Sequence, residues 1–281
     1  MVDLVRRGQV REIFDAEEIN NIPANQFIGV LIRCTTKRDN EGKEIRKKVR
    51  AALREDLDWS VKELFPGRHD TYSPTLSWAT FFMLVAIAAY FKYTLAIIDV
   101  TAAFAYNEKR DDPMYIRMKS HWFSKGCERV FEIMCTMYGL KEAGMQFYKL
   151  LSGWLTEKKW IIGKSDRCLF TRGLLIVGLS TDDGLIVNNE KGTGELDQFI
   201  REFKGRFKCT VDIPCKKYLG VEITTHENGA ISLTMKLKIE KLKELIYPDL
   251  DLHIFPIKPV YDPMLLGWSR LIRSITFIIK N

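Results

Sequence analysis

Short apolar runs bounded by polar turns alternate along this chain with longer stretches whose apolar residues recur at helical spacing. Residues 26–36 and 45–53 read as two strands joined at Asp39-Asn40-Glu41-Gly42, a cluster that favours a hairpin turn. The uncharged segment 76–90 predicts a core helix, and the apolar run 94–99 predicts a strand ending on Asp99. In 138–160, Leu140, Ala143, Phe147, Leu151, Trp154 and Leu155 have helical spacing. Two apolar runs within 174–188, broken at Asp182-Asp183, predict a β-hairpin with both acids at its tip. A helix is expected over 194–207, with Leu196, Phe199, Ile200, Phe203 and Phe207 on one face. Residues 217–223 read as one strand, Asn228-Gly229 as a turn, 231–235 as a short strand and 236–246 as a Lys-rich helix. Residues 1–25 read as a mixed leader with a short amphipathic helix near 13–19. The tail holds Pro248, Pro256, Pro259 and Pro263 and ends in a short apolar helix with Arg270 and Arg273. Strands and helices follow one another without a regular βαβ rhythm, which predicts an α+β fold rather than a doubly wound sheet.

Composition narrows this little. At 281 residues the chain is long for one core, and 46% apolar with 28% charged residues is ordinary for a globular protein. The net charge of +7 suits a polyanionic partner without proving one. Cys34, Cys127, Cys135, Cys168, Cys209 and Cys215 form no C-x-x-C, and no His pairs with them at zinc-ligand spacing. Reduced thiols in an intracellular protein are the simplest reading. The N-terminus lacks the apolar core of a signal peptide. The apolar stretch 78–91 falls short of the ~18 residues a membrane span needs, so no membrane partner is expected.

The acids carry the sharper chemistry. Carboxylates converging from separate strand ends suit a pair of Mg²⁺ ions, which take a few carboxylate oxygens together with water and substrate phosphates. That points to phosphoryl or nucleotidyl transfer, with two ions held about 3.5–4 Å apart. Asp99 and Asp182 are the ligand candidates, and Asp183 either binds metal or tunes the field. An Asp-Asp pair alone is equally an ordinary solvated hairpin tip. Phe104, shortly after Asp99, is either an aromatic wall that excludes a nucleotide 2′-hydroxyl or a core residue. Lys37, Lys48 and Arg50 either clamp a triphosphate or decorate a solvated ribbon. Gly139 and Gly144 either allow a base pair or turn close to the backbone or cap the neighbouring helix.

In this order the pieces resemble the reverse transcriptase domain of copia-type LTR retrotransposons, over about residues 25 to 275. Lys37-Arg-Asp-Asn-Glu-Gly42 with Arg46-Lys-Lys-Val-Arg50 resembles K-R-D-x-x-G…R-x-K-x-R. Asp70-Thr-Tyr-Ser-Pro74 resembles D-x-T-F-S-P, and Asp99-Val-Thr-Ala-Ala-Phe104 resembles D-V-x-x-A-F/Y. Met114-Tyr-Ile-Arg117 is similar to the (I/L)-Y-(M/I) strand that follows it. Tyr138-Gly-Leu-Lys-Glu-Ala-Gly144 with Gln146-Phe-Tyr148 is similar to Y-G-L-K-Q-(A/S)-(P/G)-x-x-W-Y. Thr181-Asp-Asp183 corresponds to the end of Y/F-V-D-D, Tyr218-Leu-Gly-Val-Glu-Ile223 to F-L-G-I-E-I, and Ser269-Arg-Leu-Ile-Arg-Ser274 to Y-x-x-L-I-G-S.

The resemblance implies a right-hand polymerase fold with an antiparallel palm sheet flanked by helices. It implies a leader over 1–24, fingers over 25–90, and a palm over 91–230 with an inserted fingers segment at about 113–150. A partial thumb or connection start would occupy 231–281. It implies templated DNA synthesis from an RNA template, a DNA primer and deoxynucleoside triphosphates, with two Mg²⁺ ions or Mn²⁺ in their place. By motif match Asp99, Asp182 and Asp183 become the catalytic, metal-holding acids. Lys37, Arg50, Phe104, Gly139 and Lys141 become nucleotide contacts, and Tyr218, Leu219 and Gly220 primer or template contacts. The setting implied is the cytoplasm, in virus-like particles, or the nucleus, with RNase H and integrase supplied separately.

Several positions depart from the family pattern. Ser180-Thr181 replaces the aromatic and Val before the acids, Glu142 the Gln, Asn107 a Gly and Arg273 the last Gly, while a Q-P-P-G stretch is missing. These departures point to a decaying or repurposed element, a polyprotein fragment or a stand-alone remnant. Three functions compete: an RNA-directed DNA polymerase, an inactive nucleic-acid-binding relic, and a different two-metal transferase or nuclease.

Overall fold

The computed structural model describes residues 2–38, 43–54, 72–107, 113–118, 128–189 and 194–235. The expected turn at 39–42, Asp70, the 236–246 helix and the tail with Arg270 and Arg273 lie outside the described residues. The described chain is α+β with antiparallel sheets. In chain order its first half holds helix α1 (Val2–Arg6), strand β1 (Val10–Ile13), helix α2 (Ala16–Asn20), the hairpin strands β2 (Val30–Arg38) and β3 (Glu44–Leu53), and helix α3 (Trp78–Phe91). Strands β4 (Thr94–Val100), β5 (Tyr115–Met118) and β6 (Arg129–Ile133) and helix α4 (Ala143–Glu157) follow. Then come β7 (Ile161–Ile162), β8 (Leu169–Arg172), β9 (Leu175–Ser180), β10 (Asp183–Asn188) and helix α5 (Glu195–Arg206). The last strands are β11 (Cys209–Asp212), β12 (Lys217–Tyr218), β13 (Val221–Thr225) and β14 (Ile231–Thr234). Two compact units form, one from 1–74 with 102–157 and one from 75–101 with 158–281.

In the first unit β6 sits between β1 and β5. Val10, Ile116, Phe131 and Ile133 are buried on one face of that sheet, and Ile13 and Val130 on the opposite face. Arg11 reaches Glu132 and Glu18 at 2.7 and 2.9 Å, and Arg129 grips both carboxylate oxygens of Glu12. The helix expected near 13–19 is the shorter α2, capped by Asp15, and Ile13 instead ends strand β1. The ribbon β2–β3 is anchored at its base, where the Ile28 N–H donates to the Tyr115 carbonyl and the Leu53 N–H to the Tyr138 carbonyl.

In the second unit six strands run in the order β11-β4-β10-β9-β8-β7. The central strands are buried on both faces, which is why β4, β9 and β10 read as nearly unbroken apolar runs. Helix α3 packs on β4 and β10 through Phe81, Leu84, Val85 and Ala88. Its start is held by Asp166, whose carboxylate accepts from the Ser77 N–H (3.0 Å), the Thr80 hydroxyl (2.6 Å) and the Cys168 N–H (2.9 Å). Burial pushes the Asp166 carboxyl up, but these hydrogen bonds outweigh it and hold it below the usual range. Among the described residues no helix is long and apolar enough to cross a membrane.

The 217–223 segment differs from expectation. It is a hairpin in which Tyr218 pairs with Val221 across Leu219-Gly220, at φ of 47° and 88°. Two positive φ values match the two-residue turn whose twist fits a hairpin. Leucine is a poor residue for that conformation, so the turn left no signature in the sequence.

Replacing Asp166 by Ala is expected to cost about 2 kcal/mol of unfolding free energy at pH 7, read by urea denaturation. Because the folded carboxyl titrates below its unfolded value, its contribution is complete at neutral pH and fades as pH falls through the folded pKa. Parent and variant should therefore converge in acid.

Candidate active site

The β9–β10 hairpin closes through Thr181-Asp182, because Ser180 and Asp183 are paired residues. Thr181 has a φ of 52°, a left-handed conformation that disfavours a β-branched residue. The turn is held from one side by the Val100 N–H, which donates to the Asp182 carbonyl at 2.9 Å. On β10's other neighbour, Asp99 stands directly opposite Asp183, and Thr210 of β11 directly opposite Asp99. A bridge sets Thr75 beside Ser180. Paired residues of a sheet share a face. One row therefore crosses the end of the sheet: Thr75, Ser180, Asp183, Asp99, Thr210, with Asp182 on the turn beside it. The structure brings together all three acids that the sequence singled out.

Asp99 is exposed, whereas Asp182 and Asp183 are half-buried. Burial pushes the Asp183 carboxyl up, the charges of Asp182 and Asp99 add to it, and it reaches about 6. This cluster suits a hard divalent cation, since its donors are carboxylate oxygens and positive charge relieves their repulsion. It is not a finished cage: among the described residues no three His, Cys, Asp or Glu side chains stand at metal-holding spacing.

The remaining candidates divide between the units. Phe104 belongs to the first, in the 3₁₀ turn Ala103–Tyr106, buried against Tyr138 and Phe147 with ring centroids 4.6 and 6.5 Å away. Gly139 lies in the same unit at a φ of +98°, and a Cβ there would stand 2.0 Å from the Leu53 carbonyl oxygen. Its bare backbone thus lets the chain pass Leu53. Lys141 is exposed just before α4. On the ribbon, Lys37 pairs with Arg46 and Arg50 with Arg33. Arg33 and Arg50 are exposed cations set directly opposite each other. Sequence reasoning passed over Arg33 because only the register reveals its place. Tyr218, in the second unit, is 1% exposed, so its ring does not face a ligand; Leu219 and Gly220 form the turn beyond it. The Tyr218 hydroxyl donates to Ser180 Oγ at 3.0 Å, another link that only the fold discloses.

With this geometry in place, the comparisons give the class. A model of the family described as "Reverse transcriptase (RNA-dependent DNA polymerase)" matches residues 18–249, and the chain belongs to that family. It is also similar to a "Retrovirus-related Pol polyprotein from transposon TNT 1-94" of Nicotiana tabacum, 22% identical over 224 residues. That match covers 74% of this chain and 16% of the relative, so the chain spans only a small part of the relative's length. Both findings support the copia-type resemblance read from the motifs.

Gly139→Ala is expected to destabilise the first unit by about 2–3 kcal/mol through strain and overpacking, measured by denaturant unfolding. For Asp183 the sign is opposite to that at Asp166. Its carboxyl holds a proton more tightly when folded, so metal-free stability falls as pH rises from the ordinary 3.8 through about 6. Asp183→Asn should remove that fall, seen in denaturation midpoints collected in chelator across this range.

Proposed function

We propose that this chain is the catalytic region of an RNA-directed DNA polymerase that extends a primer 3′-hydroxyl by nucleotidyl transfer. The observation that carries the proposal is the register setting Asp99 against Asp183 beside the Asp182 turn. Family membership supports nucleic acid as the substrate class and a divalent metal as the cofactor class. Asp99, Asp182 and Asp183 would hold two Mg²⁺ ions, or Mn²⁺. When bound, such ions activate the attacking hydroxyl and neutralise the triphosphate. An open carboxylate cluster is in keeping with this, because Mg²⁺ is usually held by one or two carboxylates together with substrate phosphates rather than by an all-protein cage.

The rest of the chain binds and orients. By motif match Arg50 and Lys37 are assigned to the triphosphate, as fork and point charge. The same motif match assigns Phe104 to the sugar, Gly139 and Lys141 to the nucleotide or template, and the Leu219-Gly220 turn to the primer. In this reading the six-stranded sheet is the palm of a right-hand fold, and the β2–β3 ribbon belongs to the fingers. The replacement of an aromatic-Val pair by Ser180-Thr181 favours one alternative, a relic that binds nucleic acid without turnover.

The test is extension of a DNA primer on a homopolymer RNA template. Mg²⁺-dependent incorporation that Asp182→Ala abolishes is the expected result. Salt-sensitive RNA binding with no incorporation by either protein would establish the relic instead.

A further inference from the structure

We propose that Ser180 and Tyr218 act as a positioning pair, a buried hydroxyl latch that fixes the acidic turn and thereby sets its affinity for a divalent cation. This rests on the reading of Asp99, Asp182 and Asp183 as the metal-holding acids. Ser180 is the last residue of β9, 4% exposed, and the paired neighbour of Asp183. Its Oγ accepts from the Tyr218 hydroxyl at 3.0 Å. The position of that hydroxyl is dictated by packing: the Tyr218 ring is stacked on Phe81 of α3, with centroids 5.6 Å apart and planes 20° apart. Burial pushes the phenol's pKa well above its ordinary value, so Tyr218 remains a protonated donor throughout the neutral range.

The turn needs such a latch. Thr181 holds a left-handed backbone that a threonine adopts only where its surroundings enforce it. Val100 secures the turn through the Asp182 carbonyl, but that bond leaves the β9 end to other contacts. There the Leu76 N–H holds the Leu179 carbonyl at 2.8 Å, and Tyr218 adds a side-chain contact one residue before the strained position. Apolar packing alone would fill the space without fixing a direction, whereas a hydrogen bond is directional and its loss leaves a buried group unsatisfied.

The experiment uses the full chain with Ser180→Ala, Tyr218→Phe, the double variant and Ser180→Thr. Mg²⁺ and Mn²⁺ affinity is measured by calorimetry, metal-free stability by denaturation, and Mg²⁺ dependence and nucleotide KM by primer extension. Each single change should weaken cation binding about tenfold, as loss of a group that orients a ligand does, and raise the Mg²⁺ needed for extension while leaving nucleotide KM unmoved. The double variant should regain stability, because no buried hydroxyl is left unpaired, yet stay weak for the cation. Ser180→Thr should keep both properties. Cation affinity equal to the parent's in the singles or the double, whatever their stability, overturns the latch. A parent that binds no divalent cation overturns the metal reading itself, and the latch with it.

Discussion

The antiparallel register between β4 and β10 is the constraint on which the site depends. Side chains of a strand alternate faces, so a slip of one residue would place Gly184 opposite Asp99 and turn Asp183 to the other side of the sheet. The register is held well away from the acids, by the buried pairs Ile97 with Leu185, Ala96 with Ile186 and Leu95 with Val187. Apolar burial at one end of two strands thus fixes the separation of charges at the other. The arrangement needs that support, because like charges directly opposite one another weaken a sheet.

The same opposition recurs with reversed sign in the first unit, where Arg33 faces Arg50 on an exposed ribbon. Neither pair lowers the energy of the isolated protein. The repulsion between Asp99 and Asp183 is relieved by a cation, and that between Arg33 and Arg50 by an anion. Each pair is suited by itself to a counter-charge, the carboxylates to a divalent cation and the guanidinium groups to an anion.

Local elements were legible in the sequence where one signal dominated. The β9–β10 hairpin, the strand ending near Asp99, helix α3 and helix α5 follow from apolar runs, turn residues and helical spacing. Helix α4 starts at Ala143 rather than near 138, since Tyr138-Gly139 is occupied in passing Leu53. Non-local facts were out of reach. Nothing in the chain near 33 announces that Arg33 will meet Arg50, and nothing near 218 says that a Tyr in a family motif is buried and bonded to Ser180. The Leu219-Gly220 turn was missed for a different reason: its first residue is held in an unfavourable conformation by the strands on either side.

The departures from the family pattern are best weighed by what surrounds them. A buried polar side chain without a partner costs stability, so what matters at each departure is the group that meets it. At 180 the new hydroxyl is met by Tyr218. At 107, in place of a glycine, the Asn amide donates to the Thr136 hydroxyl and, at 3.1 Å, to the Ala143 carbonyl, tying the turn that carries Phe104 to the start of α4; only its Oδ1 lacks a partner. Both side chains are met by groups remote in sequence, Ser180 by the Tyr218 hydroxyl and Asn107 by the Thr136 hydroxyl and the Ala143 backbone carbonyl. The hydroxyl at 180 and the amide at 107 are thus tied into the fold around the acids and the Phe104 turn rather than left stranded in it.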